Sequence, residues 1–316
     1  CGVNSAVPFA LPNAGLLETE AGNESIAFSF GQELVSSLGG EYRLCWCSAL
    51  ADCFNLEMFR LDIGQLTILG ASPLARDFTC TSGRSCDFVV PSPFPEDPGT
   101  FAILATCGAN GLQMENEVSE SLGTNFTSWW SFGHVIAPGG RYRLCWCSLP
   151  QLQPNIDSNV SLTGAISACH DSLDYRVDSG TFHIIGPVHH QERTCVSGRI
   201  CHIDSLVGYG LSEWDKLLIM DTCSSNLPIG FPDECLSMVL LADTCGAQIA
   251  PLRVTFGVSA IVSSESPLQI AGGVYRLCWC SGDSGGQLCY DAEDFTTDVG
   301  SLTMIGVAPL QQEKTC

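Results

Sequence analysis

The stretch Gly-Gly-Arg-Tyr-Arg-Leu-Cys-Trp-Cys at residues 139–147 occurs three times in this chain, with its third position free. The other copies are Gly-Gly-Glu-Tyr-Arg-Leu-Cys-Trp-Cys at 39–47 and Gly-Gly-Val-Tyr-Arg-Leu-Cys-Trp-Cys at 272–280. Such repetition indicates an array of related modules. Alternation within the stretch favours a β-strand. Its tyrosine, leucine and tryptophan would lie on one face, and its arginine and both cysteines on the other.

Two side chains of this stretch invite a functional interpretation. The tryptophan suits a packed sheet face, so we expect it to fill the module core, with ligand stacking as the alternative. The arginine is expected to pair with a carboxylate or to lie over an aromatic ring, with a binding role as the alternative. These residues are Trp46, Trp146 and Trp279, and Arg43, Arg143 and Arg276.

Three further elements recur at fixed places around this strand. Asp-x-Gly followed by alternating apolar residues and a closing glycine occupies 62–70, 178–186 and 298–306, and it predicts a turn followed by a strand. Thr-Cys-x-Ser-Gly-Arg-x-Cys occupies 79–86 and 194–201, and its first two residues return at 315–316. Thr-Cys-Gly occurs at 106–108 and 244–246, and residues 1–2 match its end.

This phasing predicts where the modules begin and end. We expect a first module over residues 1–72 with an incomplete front, a second over 73–187, and a third over 188–308 that carries an insertion. Residues 309–316 would begin a next module or form a strand donated to another subunit. The chain would then be a window on a longer tandem array or, alternatively, a polymer subunit.

The fold class follows from the same elements. Tyrosine-bearing strands, Gly-, Pro- and Ser-rich links and the absence of a long helical period predict an all-β protein. We expect tandem, immunoglobulin-like, antiparallel β-sandwich modules that are rich in disulfides. The last strand of each module would lead directly into the next module.

Composition narrows the class of protein. The 316 residues carry a net charge of −21, although only 15% of them are charged, so no basic surface is available for nucleic acid. The 19 cysteines include no Cys-x2-Cys pair of the kind that binds zinc, which favours a secreted disulfide framework. The apolar stretch 236–262 is broken by Asp243 and Arg253, so it predicts strands and no membrane insertion. Sequons at Asn23, Asn125 and Asn159 predict N-linked glycans.

Cysteine phasing predicts the bridges. The side chains of each Cys-x-Cys pair run parallel, about 6.6 Å apart at Cα, so the two do not bond each other and two connectivities remain for each quartet of cysteines. Short spacing after the second cysteine selects one of them. The expected pairs are Cys1–Cys45, Cys47–Cys53, Cys80–Cys86, Cys107–Cys145, Cys147–Cys169, Cys195–Cys201, Cys223–Cys235, Cys245–Cys278 and Cys280–Cys289. Cys316 is left over, and its partner is expected beyond the end or in another chain.

No catalytic constellation emerges, and we expect no enzyme. Asp283-Ser284-Gly-Gly resembles a serine-protease nucleophile stretch, but the other landmarks of that class are missing. Histidines gather where the second and third modules meet, at His183, His189, His190 and His202, with an exposed junction preferred over a metal site. Acidic clusters at Glu115, Glu117 and Glu120 and at Asp291, Glu293 and Asp294 lack EF-hand spacing. We therefore expect solvated loops and no cofactor, with calcium between modules as the alternative.

The repeated Gly-Gly-x-Tyr-Arg-Leu-Cys-Trp-Cys stretch, with its downstream Gly-x-Leu-x-Ile-x-Gly, resembles modules of very large cysteine-rich extracellular proteins of alveolate protists. The resemblance covers essentially the whole chain and implies surface or fibre proteins without a catalytic residue. The first hypothesis is a structural repeat protein of a glycosylated extracellular filament, such as a flagellar hair or surface fibre, whose partners are copies of itself or neighbouring modules. The second is an adhesion or receptor ectodomain that binds a glycan or protein ligand.

Overall fold

The computed structural model describes residues 1–2, 11–21, 26–30, 35–48, 53, 55–71, 77–91, 99–109, 119–122, 127–148, 169–212, 214–225, 247–248, 253–256, 268–282 and 289–308. Four short 3-10 helices occur there, at Pro12–Gly15, Leu56–Met58, Ser172–Asp174 and Ala292–Asp294. The strands are β1 Glu18–Ala21, β2 Ile26–Ser29, β3 Gly40–Trp46, β4 Leu61–Ile68, β5 Phe78–Thr81, β6 Arg84–Pro91, β7 Gly99–Leu104, β8 Ser119–Leu122, β9 Thr127–Val135, β10 Gly140–Ser148, β11 Val177–Pro187, β12 Arg193–Val196, β13 Cys201–Asp204, β14 Gly208–Tyr209, β15 Lys216–Met220, β16 Ala247–Gln248, β17 Arg253–Phe256, β18 Gly273–Cys280 and β19 Thr297–Ile305.

Contacts divide the chain into two compact units. The first comprises residues 1–78, 87–132 and 142–182, and the second comprises residues 79–86, 133–141 and 183–316. This grouping follows contacts and not the sequence repeat. The module boundaries at residues 72, 187 and 308 therefore stay predictions, and residues 309–316 lie outside the described residues.

The second unit contains a five-stranded sheet in the order β12-β19-β18-β15-β16. Its neighbours run antiparallel except β12 and β19, which pair in parallel, with Cys195 opposite Met304. A separate antiparallel pair, β13 and β17, forms a second layer. Ile203 of β13 packs in one buried cluster with Leu217 of β15 and Leu277 of β18. The two layers therefore enclose a sandwich core.

The repeated strand is buried on both faces in this unit. Tyr275, Leu277 and Trp279 belong to the core between the layers, whereas Cys278 and Cys280 belong to another cluster around Phe295. Odd and even positions of β18 therefore face different cores, which is the alternation that the sequence predicts.

The first unit repeats this architecture. β10 lies between β7 and β11, and β9 lies between β6 and β8 in another sheet. Phenylalanines from both sheets meet: the ring of Phe88 on β6 stacks on that of Phe132 on β9 at 5.3 Å and meets Phe101 of β7 edge-on at 6.3 Å. β3 and β4 form a separate antiparallel pair, as do β1 and β2. The described chain is therefore all-β and built from layered sheets, as the sequence predicts.

The Asp-x-Gly element is not the turn that the sequence predicts. Asp62 and Gly64 both lie inside the continuous strand β4. Leu44 of β3 pairs with Gly64 and Cys45 pairs with Asp62, so Ile63 is an extra residue in a β-bulge. The same shift occurs in the pairing of β18 with β19. The prediction failed because aspartate and glycine favour bulges as well as turns, and the paired strand decides between the two.

Candidate functional site: the repeated clamp and the module ends

A tyrosine fixes the start of the first and third repeated strands to the preceding loop. The hydroxyl of Tyr42 donates to the carbonyl of Leu38 at 2.7 Å, and that of Tyr275 donates to the carbonyl of Ala271 at 2.9 Å. Each bond spans four residues, a geometry like that of the tyrosine corner of immunoglobulin-like sandwiches. Burial raises the pKa of Tyr275, which keeps this hydroxyl a donor.

The arginine of the repeated strand pairs with the aspartate of the bulge, so the carboxylate alternative of the sequence prediction is confirmed. Nε and Nη2 of Arg143 donate to Oδ2 and Oδ1 of Asp178 at 2.9 and 2.7 Å, a bidentate pair, and Nη1 donates to the Thr181 hydroxyl at 3.0 Å. Nε of Arg276 donates to Asp298 at 2.8 Å. In the first copy, Arg43 and Asp62 are 3.4 Å apart. This pairing of the arginine in the repeated strand with the aspartate of Asp-x-Gly is called the clamp, and it joins two sequence motifs that recur in every module.

The glycine of Asp-x-Gly orients the aspartate carboxylate that pairs with the arginine. The backbone N–H of Gly180 donates to Oδ1 of Asp178 at 3.0 Å, as that of Gly64 does to Asp62. The φ angles of Gly64, Gly180 and Gly300 are 145°, 147° and 153°, a region that residues with a Cβ rarely adopt. Asp-x-Gly is therefore a single device that creates the bulge and orients the clamp.

A second recurring device lies between the disulfide loop and the bulge, and the sequence interpretation missed it. A 3-10 turn precedes an aromatic residue six positions after a cysteine, at Phe59, Tyr175 and Phe295. Tyr175 and Phe295 are buried, each packed against the bridged cysteines of its module. Aligning the sequence on Cys53, Cys169 and Cys289 would have revealed this spacing.

Aspartates brace these turns. Oδ2 of Asp174 accepts from the backbone N–H groups of Asp171 and His170 at 3.1 and 3.2 Å, and these bonds, Asp171 foremost, lower the pKa of Asp174. Asp291 and Asp294 form the same capping box. The acidic cluster at 291–294 thus includes a structural cap, whereas Glu115 and Glu117 lie outside the described residues.

Eight disulfides join sixteen cysteines of the described part of the chain, with Cα–Cα distances between 5.4 and 6.0 Å. Seven of them are pairs that the sequence predicts. They are Cys1–Cys45, Cys47–Cys53, Cys80–Cys86, Cys107–Cys145, Cys147–Cys169, Cys195–Cys201 and Cys280–Cys289.

The eighth disulfide corrects two predicted pairs. Cys223 bonds Cys278, so neither Cys223–Cys235 nor Cys245–Cys278 forms. Matching Thr-Cys-Gly by its letters selected Cys245, but the structural counterpart of Cys107 is the cysteine that follows the strand paired with the repeat. Cys223 lies three residues after β15, as Cys107 lies three residues after β7. The backbone N–H of Ser224 donates to the carbonyl of Phe295, as that of Gly108 donates to the carbonyl of Tyr175. Cys235, Cys245 and Cys316 lie outside the described residues.

The three tryptophans differ, and the prediction of core filling is wrong for one of them. Trp146 and Trp279 are 6% and 0% exposed, whereas Trp46 is 44% exposed. β10 and β18 each have a strand at both edges, with Trp146 opposite Phe101 of β7 and Trp279 opposite Leu217 of β15. Among the described strands, β3 pairs with β4 alone, so Trp46 lacks this cover.

The end of a module meets the tryptophan of the next repeat. A Cβ built on Gly70 would lie 3.4 Å from Cζ3 of Trp146, and one built on Gly186 would lie 3.7 Å from Cζ3 of Trp279. Ile185, beside Gly186, packs against the core cluster that contains Trp279. The closing glycine therefore ends one repeat and lies beside the tryptophan of the repeat that follows.

The histidines of this region do not converge. The ring of His183 stacks on that of Tyr209 at 5.5 Å, and its Nδ1 lies 2.9 Å from the Tyr209 hydroxyl. Burial, helped by neighbouring His190, lowers the pKa of His189. His202 is exposed on β13. Within the described ranges, no three His, Cys, Asp or Glu side chains come together as a metal site would require.

The remaining candidate functional residues lie outside the described residues or on other elements of the fold. Ser284 and the glycosylation candidates Asn23, Asn125 and Asn159 fall outside the described residues. Glu120 lies on β8. The helices described are all too short to cross a membrane.

Comparisons with known proteins give a distant relative. No protein-family model matches the sequence. A stretch of 183 residues is 26% identical to cysteine repeat modular protein B of Toxoplasma gondii; the match covers 55% of this chain and 2% of that much longer protein. This match supports the resemblance of the chain to cysteine-rich repeat modules of alveolate protists. Together with the disulfides, it indicates a modular protein that is extracellular or secreted.

Solved structures that partly match this chain include tandem immunoglobulin domains. The eight N-terminal immunoglobulin domains of Down syndrome cell adhesion molecule are 12% identical, with 74% of this chain and 26% of that one covered and a TM-score of 0.18. Titin domains Z1Z2 in complex with telethonin are 12% identical, with coverage of 78% and 100% and a TM-score of 0.19. The tandem immunoglobulin repeats of Dlar are 8% identical, with coverage of 74% and 97% and a TM-score of 0.19.

Proposed function

We propose that this chain is part of a structural repeat protein of an extracellular filament, of the flagellar-hair or surface-fibre type, and that it is not an enzyme. The observation that carries the proposal is the recurring module end. Gly70 and Gly186 each lie beside the tryptophan of the following repeat, and Ile185 packs against the core that contains Trp279, so the second and third modules are joined by packing as well as by the chain. Modules that each contact only their neighbours give a quasi-linear array.

The bracing of each module supports a load-bearing role. Two bridges leave each Cys-Trp-Cys strand, one to a distant cysteine and one to a nearby one, and the clamp ties the same strand to its neighbour. Each bridge typically stabilises a fold by about 2–4 kcal/mol. The partners would be neighbouring modules or further copies of the chain, with N-linked glycans at Asn23, Asn125 and Asn159 on the outside and no cofactor.

Negative-stain microscopy of native material tests this function. An antibody raised against the chain should decorate regular filaments, with label at intervals along their length. Preparations reduced and alkylated before staining serve as the control, because filaments braced by disulfides should then lose their regular form. Isolated beaded rods with label at one position would reject the filament and favour the adhesion ectodomain, which a glycan-binding screen would then examine.

A further inference from the structure

The last strand of the third module ends in exposed apolar side chains. Ile305 is 57% exposed and Val307 is 61% exposed. Their counterparts at the end of the second module, Ile185 and Pro187, are half-buried and buried. The two ends share the same internal geometry: Gly139 donates to the carbonyl of Pro187, and Gly272 to that of Val307, each at 3.0 Å. The difference therefore lies in what covers them.

The covered end shows what such a surface binds. β11 pairs with the two-residue strand β14 of the next module, with Gly186 opposite Tyr209 and Pro187 opposite Gly208. Ile185 and Leu211 both pack against the core of that module. The cover is thus a short extended strand with an apolar residue behind it.

A glutamine holds this cover in place. Nε2 of Gln191 donates to the carbonyls of Val188 and Val207 at 2.6 and 2.8 Å, and Oε1 accepts from the N–H of Val207 at 3.0 Å. Gln191 is buried. It joins the linker that leaves the second module to the loop that precedes β14.

The sequence beyond the exposed end carries the same signal. Residues 312–316 read Gln-Glu-Lys-Thr-Cys, and residues 191–195 read Gln-Glu-Arg-Thr-Cys. The glutamine therefore recurs four residues before the cysteine in both stretches.

We propose that Ile305, Gly306 and Val307 form a docking surface for a further module of the same kind as residues 188–308. This deepens the proposed function, since it rests on an end-to-end array and names the surface and the occupant of its next joint. The occupant presents a counterpart of β14 to Val307 and a Cys-Trp-Cys tryptophan to Gly306.

The experiment extends the full chain by one module. Residues 196–308 are added directly after Cys316, which then takes the place of Cys195. The substitution Ile305→Asp is made in the original and in the extended chain, with Ile185→Asp in the original chain as the positive reference. Val274→Glu is the matched control: Val274 is 69% exposed on β18, and its counterparts Glu41 and Arg141 are charged.

Thermal unfolding gives the first readout. Ile185→Asp should lower the melting temperature of the third module by about 4 °C or more, because it places a charge against an apolar core. Ile305→Asp should shift the original chain by less than about 1 °C and the extended chain by as much as Ile185→Asp does. An Ile305→Asp effect that is equally small in both chains overturns the proposal.

Amide hydrogen exchange gives a second readout that does not depend on a damaging variant. Exchange at Gly306 should slow by about tenfold or more when the unmodified chain is extended, because its counterpart Gly186 pairs with Tyr209 of β14. Unchanged exchange there, in an extended chain that is folded, also overturns the proposal. Either result leaves the filament to be decided by microscopy, so the two proposals fail separately.

Discussion

At the scale of single residues, the clamp between strand and bulge occurs in three versions of different quality. Arg143 and Asp178 form a bidentate pair that Thr181 supports, whereas the Arg43 side chain is 65% exposed and lies 3.4 Å from Asp62. Partly exposed pairs contribute little unless their geometry is well ordered. The three copies therefore offer an internal comparison of geometry at constant sequence.

We expect a double-mutant cycle on Arg143→Ala and Asp178→Ala to give a coupling energy of about 1 kcal/mol. The matched cycle on Arg43 and Asp62 should give less than about 0.3 kcal/mol, because the contact is longer and more exposed. Urea unfolding at low and at high salt measures both couplings. Equal values for the two pairs would contradict this ranking.

His189 makes stability depend on pH. Burial holds its pKa below the ordinary value of 6.5, so the unfolded chain binds a proton at a pH where the folded chain does not. The contribution of this residue is therefore fully present above pH 6.5 and is lost as the pH falls through the lowered pKa. We expect the free energy of unfolding to decrease from pH 7 to pH 5 and the slope to flatten in His189→Gln.

The same variant provides its own control for His189. At pH 8 the ring is neutral in both states, so any difference between the wild type and His189→Gln reports packing alone. Only an additional difference that appears below pH 6.5 reports titration. Identical slopes in the two proteins would remove His189 as the cause.

At the scale of elements, the bulge glycines separate backbone strain from crowding. Gly64 and Gly300 have similar φ angles of 145° and 153°, but a Cβ on Gly64 would meet nothing within 4 Å, whereas a Cβ on Gly300 would overlap the backbone of Gln191. We expect Gly64→Ala to cost about 1–2 kcal/mol from backbone strain alone. Gly300→Ala should cost clearly more, and chemical denaturation of the two variants measures the difference.

The strand pairing explains what could be learned from the sequence and what could not. The repeated strand, the alternation between its two faces and seven disulfides follow from local alternation and spacing, which are properties of neighbouring residues. The Asp-x-Gly bulge and the Cys223–Cys278 bond depend on which strand lies opposite β3, β10 or β18. The sequence of one strand does not indicate which distant strand pairs with it, so these features could not be predicted.

The exposure of Trp46 has the same origin. Trp46, Trp146 and Trp279 lie in the same local sequence. The two buried copies differ from Trp46 in having a further partner strand, β7 or β15. A repeated motif therefore predicts a role for its residues only where the surrounding strands are repeated as well. The 3-10 turn before Tyr175, in contrast, was available in the sequence and required only an alignment on the cysteine six residues earlier.

At the scale of the whole molecule, every Cys-Trp-Cys strand carries one long-range and one short-range bridge. The long-range bridges span 44, 38 and 55 residues, and the short-range bridges span 6, 22 and 9. The entropy removed from the unfolded chain grows with loop length, so the long-range member of each pair should contribute more stability. The third copy gives the largest contrast between the two.

Cys223–Cys278 and Cys280–Cys289 allow a matched test, because both bridges belong to the same buried cluster around Phe295. Replacing both cysteines of a bridge by alanine should cost about 4 kcal/mol for the 55-residue span and about 2.6 kcal/mol for the 9-residue span in the chain-entropy description. The similar packing of the two pairs makes the difference of about 1.5 kcal/mol more reliable than either value. Urea unfolding measures the difference, and a larger cost for the short bridge would show that strain or packing, and not loop closure, sets the stability of these modules.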